Sequence, residues 1–255
     1  PDSNDENVWA HWSRGNYGPG DWSGSHNDLA AGVDLYHTDH SRAGISVMHT
    51  NSSLDRTENL GEVSMKKKFT RVSLYGCHDF AGGLHAAGDV FAGGIRIKDT
   101  SLVDMSTRTA GVHAEVGVDV PAGRGTITPL VRAAYAGIRG FTTKDGKGFP
   151  FTMKESHYSS FSAGLKASLP LSPVSLLTAY AGWGIRTGYD IDGTMSDAWN
   201  TMDISESGKE HVKTLGIGYR CDVTPFARLS LSAAREFSSG LHDDWNFQVS
   251  AAYKF

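Results

Sequence analysis

Eleven histidines are the first residues to weigh for chemistry. His37-Thr38-Asp39-His40 sets two imidazoles and a carboxylate within four residues, the ligand types of a zinc site. That stretch reads as a tight turn, however, and the sequence places no cysteine or further carboxylate beside it, so no metal is expected. No Gly-x-Ser-x-Gly elbow, glycine-rich phosphate loop or Cys-x-x-Cys occurs, and no catalytic residue and no cofactor are assigned. What remains is a set of charges that recurs on the polar side of alternating segments. Asp34, Glu115, Asp119 and Asp222 stand against Arg132, Lys166, Arg186, Arg220 and Arg228. Their chemistry is ion pairing along a wet face, and the segments that carry them decide what that face is.

The last eleven residues show the segment type. Trp245, Phe247, Val249, Ala251, Tyr253 and Phe255 fall on one face and Asn246, Gln248, Ser250, Ala252 and Lys254 on the other, a period of two that predicts a strand. Similar segments are expected at 7–17, 27–37, 42–51, 66–79, 84–98, 105–120, 125–138, 156–169, 174–188, 209–223, 226–238 and 244–255. No apolar run reaches the 18 or so residues of a membrane helix, so any span must be made of strands.

Connections alternate in length. Thr38–Ser41, Phe80–Gly83, Pro121–Arg124, Pro170–Pro173 and Thr224-Pro225 are tight, whereas Gly18–His26, Ser52–Glu62, Arg139–Glu155 and Tyr189–Gly208 are long and polar. That asymmetry, with an even strand count, belongs to a bacterial outer-membrane barrel with periplasmic turns and termini and extracellular loops. The expected fold is therefore all-β, a 12-stranded antiparallel transmembrane up-and-down β-barrel occupying 1–255.

Within each strand the charges and glycines share a face opposite Val, Leu, Ile and Phe. Lining the lumen are expected to be Asp34, Glu115, Asp119, Arg132, Lys166, Gly182, Gly184, Arg186, Gly216, Gly218 and Arg220, with most charges paired wall to wall. Gly164, Gly182, Gly184, Gly216 and Gly218 strip one wall of side chains; either the strands bend there, or the wall is cleared so that another stretch of polypeptide can lodge inside. Around His85–Ile97 the alternation breaks, which predicts a bulge. Arg235 lands on the lipid face near the outer rim, and Lys66-Lys67-Lys68 reads as a rim meeting anionic lipopolysaccharide. Glycine at 30 of 255 residues is roughly 12%, against an average near 7%, and suits such a barrel. The modest net charge of −4 argues neither for nucleic acid nor for a strongly acidic partner, and no nucleic-acid partner is expected. Cys77 and Cys221, in the fourth and tenth strands, are expected to be free thiols on opposite walls.

Several stretches together resemble the β-barrel translocator domain of autotransporters (type V secretion). They are Val8-Trp9, Leu29–Asp34 followed by the short turn and Ala43–Val47, Val72–Gly76, Ile127–Tyr135 and the terminal Tyr253-Lys254-Phe255. The resemblance implies an outer-membrane monomer that delivers an N-terminal passenger to the cell surface through or alongside its lumen. It also implies that Phe247, Val249, Tyr253 and Phe255 form the insertion signal read by the barrel assembly machinery. Family members carry a helical linker through the pore, and some cut it at an asparagine pair with acidic lumen residues. Pro1–Asn7 is shorter than such a helix and lacks Asn-Asn, so self-cleavage is not expected. The chain opens on Pro1 without a leader, so it reads as an excised fragment in which residues 1–6 are the remnant of a linker to a missing passenger. Tyr189–Gly208 matches in position a loop that the family implicates in passenger passage.

The alternatives are a stand-alone outer-membrane pore or barrel enzyme, and a soluble β-sandwich binding module. For the enzyme, His242-Asp243-Asp244 resembles the aspartate and histidine pairs of outer-membrane proteases, although a solvated hairpin loop is the plainer reading. For the sandwich, Val116, Leu165, Ile217 and Val249 would have to share a dry interior.

Overall fold

The period-two pattern becomes a sheet that closes on itself. A computed structural model describes residues 7–17, 22–58, 61–99, 104–144, 150–188, 191–196, 201–206, 208–239 and 243–254. Twelve long strands follow in chain order: β1 Val8–Tyr17, β2 Trp22–His37, β3 Ser41–Glu58, β4 Gly61–Asp79, β5 Leu84–Asp99, β6 Asp104–Val118, β7 Gly125–Ile138, β8 Ser156–Ser172, β9 Ser175–Thr187, β10 Lys209–Thr224, β11 Ala227–Ser238 and β12 Asp243–Tyr253. Each pairs antiparallel with its sequence neighbours, and β12 returns to β1 in unbroken register from Val8↔Tyr253 to Tyr17↔Asp244. Closure removes the free edges that lipid could not satisfy. Val8 and Tyr253 both lie at the end carrying the tight turns, here the turn end; the other is the loop end.

The apolar face looks outward. Leu74 is 59% exposed, Ile217 57%, Leu165 55% and Val116 42%, while among the described residues the buried apolar side chains are only Ala30, Ile95, Leu130 and Val212. Val249 is half-buried on the same outward face as Phe247. A sandwich would reverse this distribution, so hydrocarbon is the medium that covers these side chains. Among the described residues no helix is long and apolar enough to cross a membrane; the crossing elements are strands.

Three features depart from expectation. β2, β3 and β4 extend beyond their apolar stretches, pairing Trp22↔Arg56 and Glu58↔Gly61 where loops were expected. Past the membrane both faces are wet, so alternation fades although the backbone ladder continues. The stretches 139–155 and 189–208 likewise hold short strands, Phe141–Lys144, Pro150–Met153, Ile191–Ser196 and Thr201–Glu206, which join into a second four-stranded sheet through Phe151↔Met195. Finally, β5 has no bulge: its pairing with β4 runs from Met65↔Asp99 to Asp79↔His85 without a shift. Val90 and Phe91 simply take opposite faces, and Phe91 turns inward. The irregularities lie at the turn end instead, at Asp34/Tyr36, Pro170/Ser172 and Asp222/Thr224, and at Asp119, which separates β6 from Val120–Ala122.

Phe91 can point inward because β6 offers Gly111 opposite it, where a Cβ would sit 2.6 Å from the ring. The same device recurs around the lumen. Trp9 lies on Gly32, Tyr75 on Gly44, His85 on Gly117 and His26 on Gly15, each ring over the glycine paired with it on the next strand. Tyr180 leans across both Gly164 and Gly182. These glycines are seats for rings, so the bare wall read from Gly164 and Gly182 is in fact covered by Tyr180. Gly216 has room for a Cβ, at 3.5 Å from its nearest neighbours.

The two faces make opposite demands on substitution. Ile217→Arg at mid-strand is expected to lower folding stability by about 2–4 kcal/mol, whereas lumenal Gly216→Ala stays within about 0.5 kcal/mol, both read by urea titration of the refolded barrel in bilayers. Gly44→Ala, whose Cβ would meet the Val33 carbonyl oxygen at 2.2 Å, is expected to cost about 1–3 kcal/mol in the same assay. Outward Gly76→Ala, with its nearest contact at 3.4 Å, serves as the tolerated control.

Candidate functional site

The register brings the inward residues into rows. One row runs in direct register through Arg42, Cys77, Ala87, Glu115, Arg132, Ser162, Gly184 and Val212, from β3 to β10. Because paired residues share a face, a single lumenal charge assigns the whole row to the interior.

Glu115 sits at the centre of the densest charge cluster. Its carboxylate accepts from Arg132 Nε at 2.5 Å and lies 4.0 Å from His85 Nε2, while His85 Nδ1 lies 3.9 Å from Asp119. Asp119 also accepts from the Thr128 hydroxyl at 2.5 Å. His85, only 2% exposed, lies between two carboxylates over Gly117, at distances beyond hydrogen bonding. Nearby, Asp89 pairs with His113 at 2.8 Å, and Arg71 stacks 4.8 Å above the Phe91 ring. A second cluster joins Arg186 to Glu236, with Ser238 donating to Glu210, and a third joins Arg228 to Asp222 at 2.6 Å. Near the turn end, Trp9 Nε1 donates to the Tyr75 hydroxyl at 2.9 Å, which donates to Asp34 at 2.6 Å, linking β1, β2 and β4 across Gly44.

The pairs described run along the wall, between adjacent or nearby strands. Neighbouring strands thus neutralise one another's charges around the bore. Two openings along it measure about 470 Å³, bordered by Arg42, Tyr75, Cys77, Asp89, Glu115 and Arg132, and about 360 Å³, bordered by Trp9, His11, Met48, Arg71, Arg228 and Gln248.

The remaining expected lumen residues are placed by the same rows. Lys166 stands between Thr128 and Tyr180, and Arg220 between Leu176 and Ser230. A Cβ on Gly184 would meet the Phe161 carbonyl at 2.7 Å, and one on Gly218 the Thr178 hydroxyl at 2.7 Å. Phe247, Val249 and Tyr253 point outward from β12; Phe255, residues 1–6 and His242 lie outside the described residues. Cys77 faces the lumen, Cys221 shares the outward row of Leu229, and both are free. His37 ends β2 and His40 sits in the turn; among the described residues no three metal-ligating side chains converge. The sequence reading assigned none of Trp9, Tyr75, Asp89, His85 and Glu236 to the lumen. Inward parity was the available signal for each, but which cross-strand neighbour it meets depends on register.

Arg235 faces outward with its guanidinium 4.5 Å above Phe237 and 5.0 Å above Trp245. Aromatic faces thus shelter the one charge that the sequence placed toward lipid near the rim.

No curated protein sequence matches the chain. Among solved structures, it is similar to the beta domain of the Bordetella autotransporter Brka at a TM-score of 0.74 and 15% identity, covering 98% of this chain and 100% of that one. The transport unit of AIDA-I from Escherichia coli gives a TM-score of 0.75 at 16% identity, covering 100% and 92%. The translocator domain of NalP from Neisseria meningitidis gives 0.69 at 16% identity, covering 100% and 90%. At these identities the likeness speaks for the fold, whereas the sequence family described as the autotransporter beta-domain matches residues 7–234 directly. The closed apolar-coated barrel, its charged bore and this match together establish that the chain belongs to the autotransporter beta-domain family and has the role of an outer-membrane translocator.

Proposed function

We propose that the barrel sits with its turn end in the periplasm and its loop end outside the cell, and that an N-terminal passenger segment reaches the surface through its lumen. The observation that carries this reading is the bore itself: openings of about 470 Å³ and 360 Å³, with ion pairs between neighbouring strands around them, line a path with both signs of charge, suited to an extended or helical polypeptide. The turns support the orientation, since Thr38 closes on Ser41 and Gly123 takes a positive φ of 62° in a two-residue turn, the compact form that bacterial barrels keep on the periplasmic side.

The reading is of a translocator that is not an enzyme. Glu115 is engaged by Arg132 and Asp119 by Thr128, so neither carboxylate stands ready as a base toward a linker. Outer-membrane lipid surrounds the apolar belt, and the outward row Phe247, Val249 and Tyr253, with Phe255 after it, is the signal for the assembly machinery. A monomer is the functional unit proposed, since the closed sheet leaves no free edge on which a second copy could pair.

An epitope placed before Pro1, behind an intact leader, is expected to bind antibody on intact cells; a normal yield of heat-modifiable barrel with no surface epitope would refute passenger delivery. Orientation is read separately in a Cys77→Ser/Cys221→Ser background. Thr142→Cys should react with an impermeant thiol reagent on whole cells and Asp39→Cys should not, and the reverse pattern would invert the topology. Val249→Asp should reduce the heat-modifiable form several-fold, whereas lumenal Gln248→Asp should not.

A further inference from the structure

We propose that the outward face of β4, β5 and β6 at the loop end is a binding site for the phosphates of a phosphorylated glycolipid in the outer leaflet. The site is built by register. Lys68 pairs directly with Arg96, and Lys66 with Lys98, so two like-charged pairs face each other across adjacent strands. Such pairs are destabilising in a sheet, where the Cβ atoms are only about 5 Å apart. Arg108 joins them from β6, one outward position below the level of Arg96.

Compensation within the protein is incomplete. Among the described residues Asp104 is the one carboxylate inside the cluster, bonded to Arg96 at 2.7 Å and 2.9 Å and to Lys98 at 3.2 Å. Asp55 lies one outward position beyond Lys66 on β3, farther from the apolar belt. Five cations therefore meet one carboxylate, and all five are exposed. Directly below them on the same face come Thr70, Val72 and Leu74 on β4 and Ala92 and Val90 on β5, so the charges stand where hydrocarbon gives way to headgroups. Elsewhere the outward rim sets single cations among aromatic rings: Tyr135 stacks with His157, Trp183 stacks with His211 and pairs with Lys213, Arg14 pairs with Phe247, and Arg235 is covered by rings. The cationic patch is thus local, and Asn51, paired with Lys68, adds a hydrogen-bonding amide beside it. Dense phosphates at headgroup depth match this charge, depth and spacing, and such a lipid would turn the cross-strand repulsion into shared coordination.

The proposal rests on the orientation given above, which cysteine labelling tests in cells; vesicle measurements read the site whichever way the barrel faces. The refolded full chain is reconstituted in phosphatidylcholine vesicles alone, with diphosphorylated lipid A, or with phosphatidylglycerol at matched charge, and the midpoint of heat modifiability is followed. Lipid A is expected to raise the wild-type midpoint by roughly 5 °C, and phosphatidylglycerol by clearly less. Lys66→Gln/Lys68→Gln/Lys98→Gln, which keeps the Arg96–Asp104 pair, should lose that rise, with lipid A binding weakened by roughly fivefold for each cation removed. In phosphatidylcholine alone this variant should match or exceed the wild type, because the like-charge pairs are gone. Lys68→Gln alone supplies a fivefold arm should the triple variant not fold, and Lys213→Gln, an exposed cation on β10, should behave as wild type. An equal lipid A shift in the triple variant and wild type, or equal protection by phosphatidylglycerol, would overturn the proposal.

Discussion

In hydrocarbon, each backbone N–H or C=O left without a partner costs several kcal/mol, and every other feature of this chain is subordinate to that constraint. The ladder between β12 and β1 meets it by returning the last strand to the first in unbroken register. Closure has two consequences. It brings Val8 and Tyr253 together at the turn end, and it divides every strand into a face toward lipid and a face toward water. The twelve segments can then be short and only moderately apolar, because no segment is a span by itself.

The interior solves a different problem. A twelve-stranded wall is too wide to fill with side chains and too small to leave unlined. Rings laid on cross-strand glycines thicken the wall without projecting into the bore, and charged groups pair with close neighbours around it. Part of the glycine content thus reflects aromatic packing inside the wall, with Trp9 on Gly32 and Tyr75 on Gly44 joined through the hydroxyl that bonds Asp34. What is left open is a polar channel, the property that a translocator requires.

Outside, the belt is uneven. Most of the rim toward the loop end is aromatic, as interfaces favour, whereas β4 to β6 concentrate cations. Unevenness of this kind gives a barrel distinct lateral surfaces even though its overall form is nearly symmetric.

The sequence by itself determined the fold class, the strand count and the inward or outward sense of the residues in its regularly alternating strands, because a period of two between water and hydrocarbon is written into composition there. The faces of Val112–Val120, Phe161–Leu169 and Leu215–Val223 were legible for that reason. Only the tertiary structure decided which residues meet. Strand boundaries beyond the membrane, the second sheet, the inward turn of Phe91, the placing of His85 between Glu115 and Asp119, and the like-charged pairs on β4 and β5 all follow from register. Register is set by the bulges and turns at one end together with closure at β1 and β12, and alternation along a single strand is unchanged by a two-residue slide, so it carries no record of the partner across the ladder.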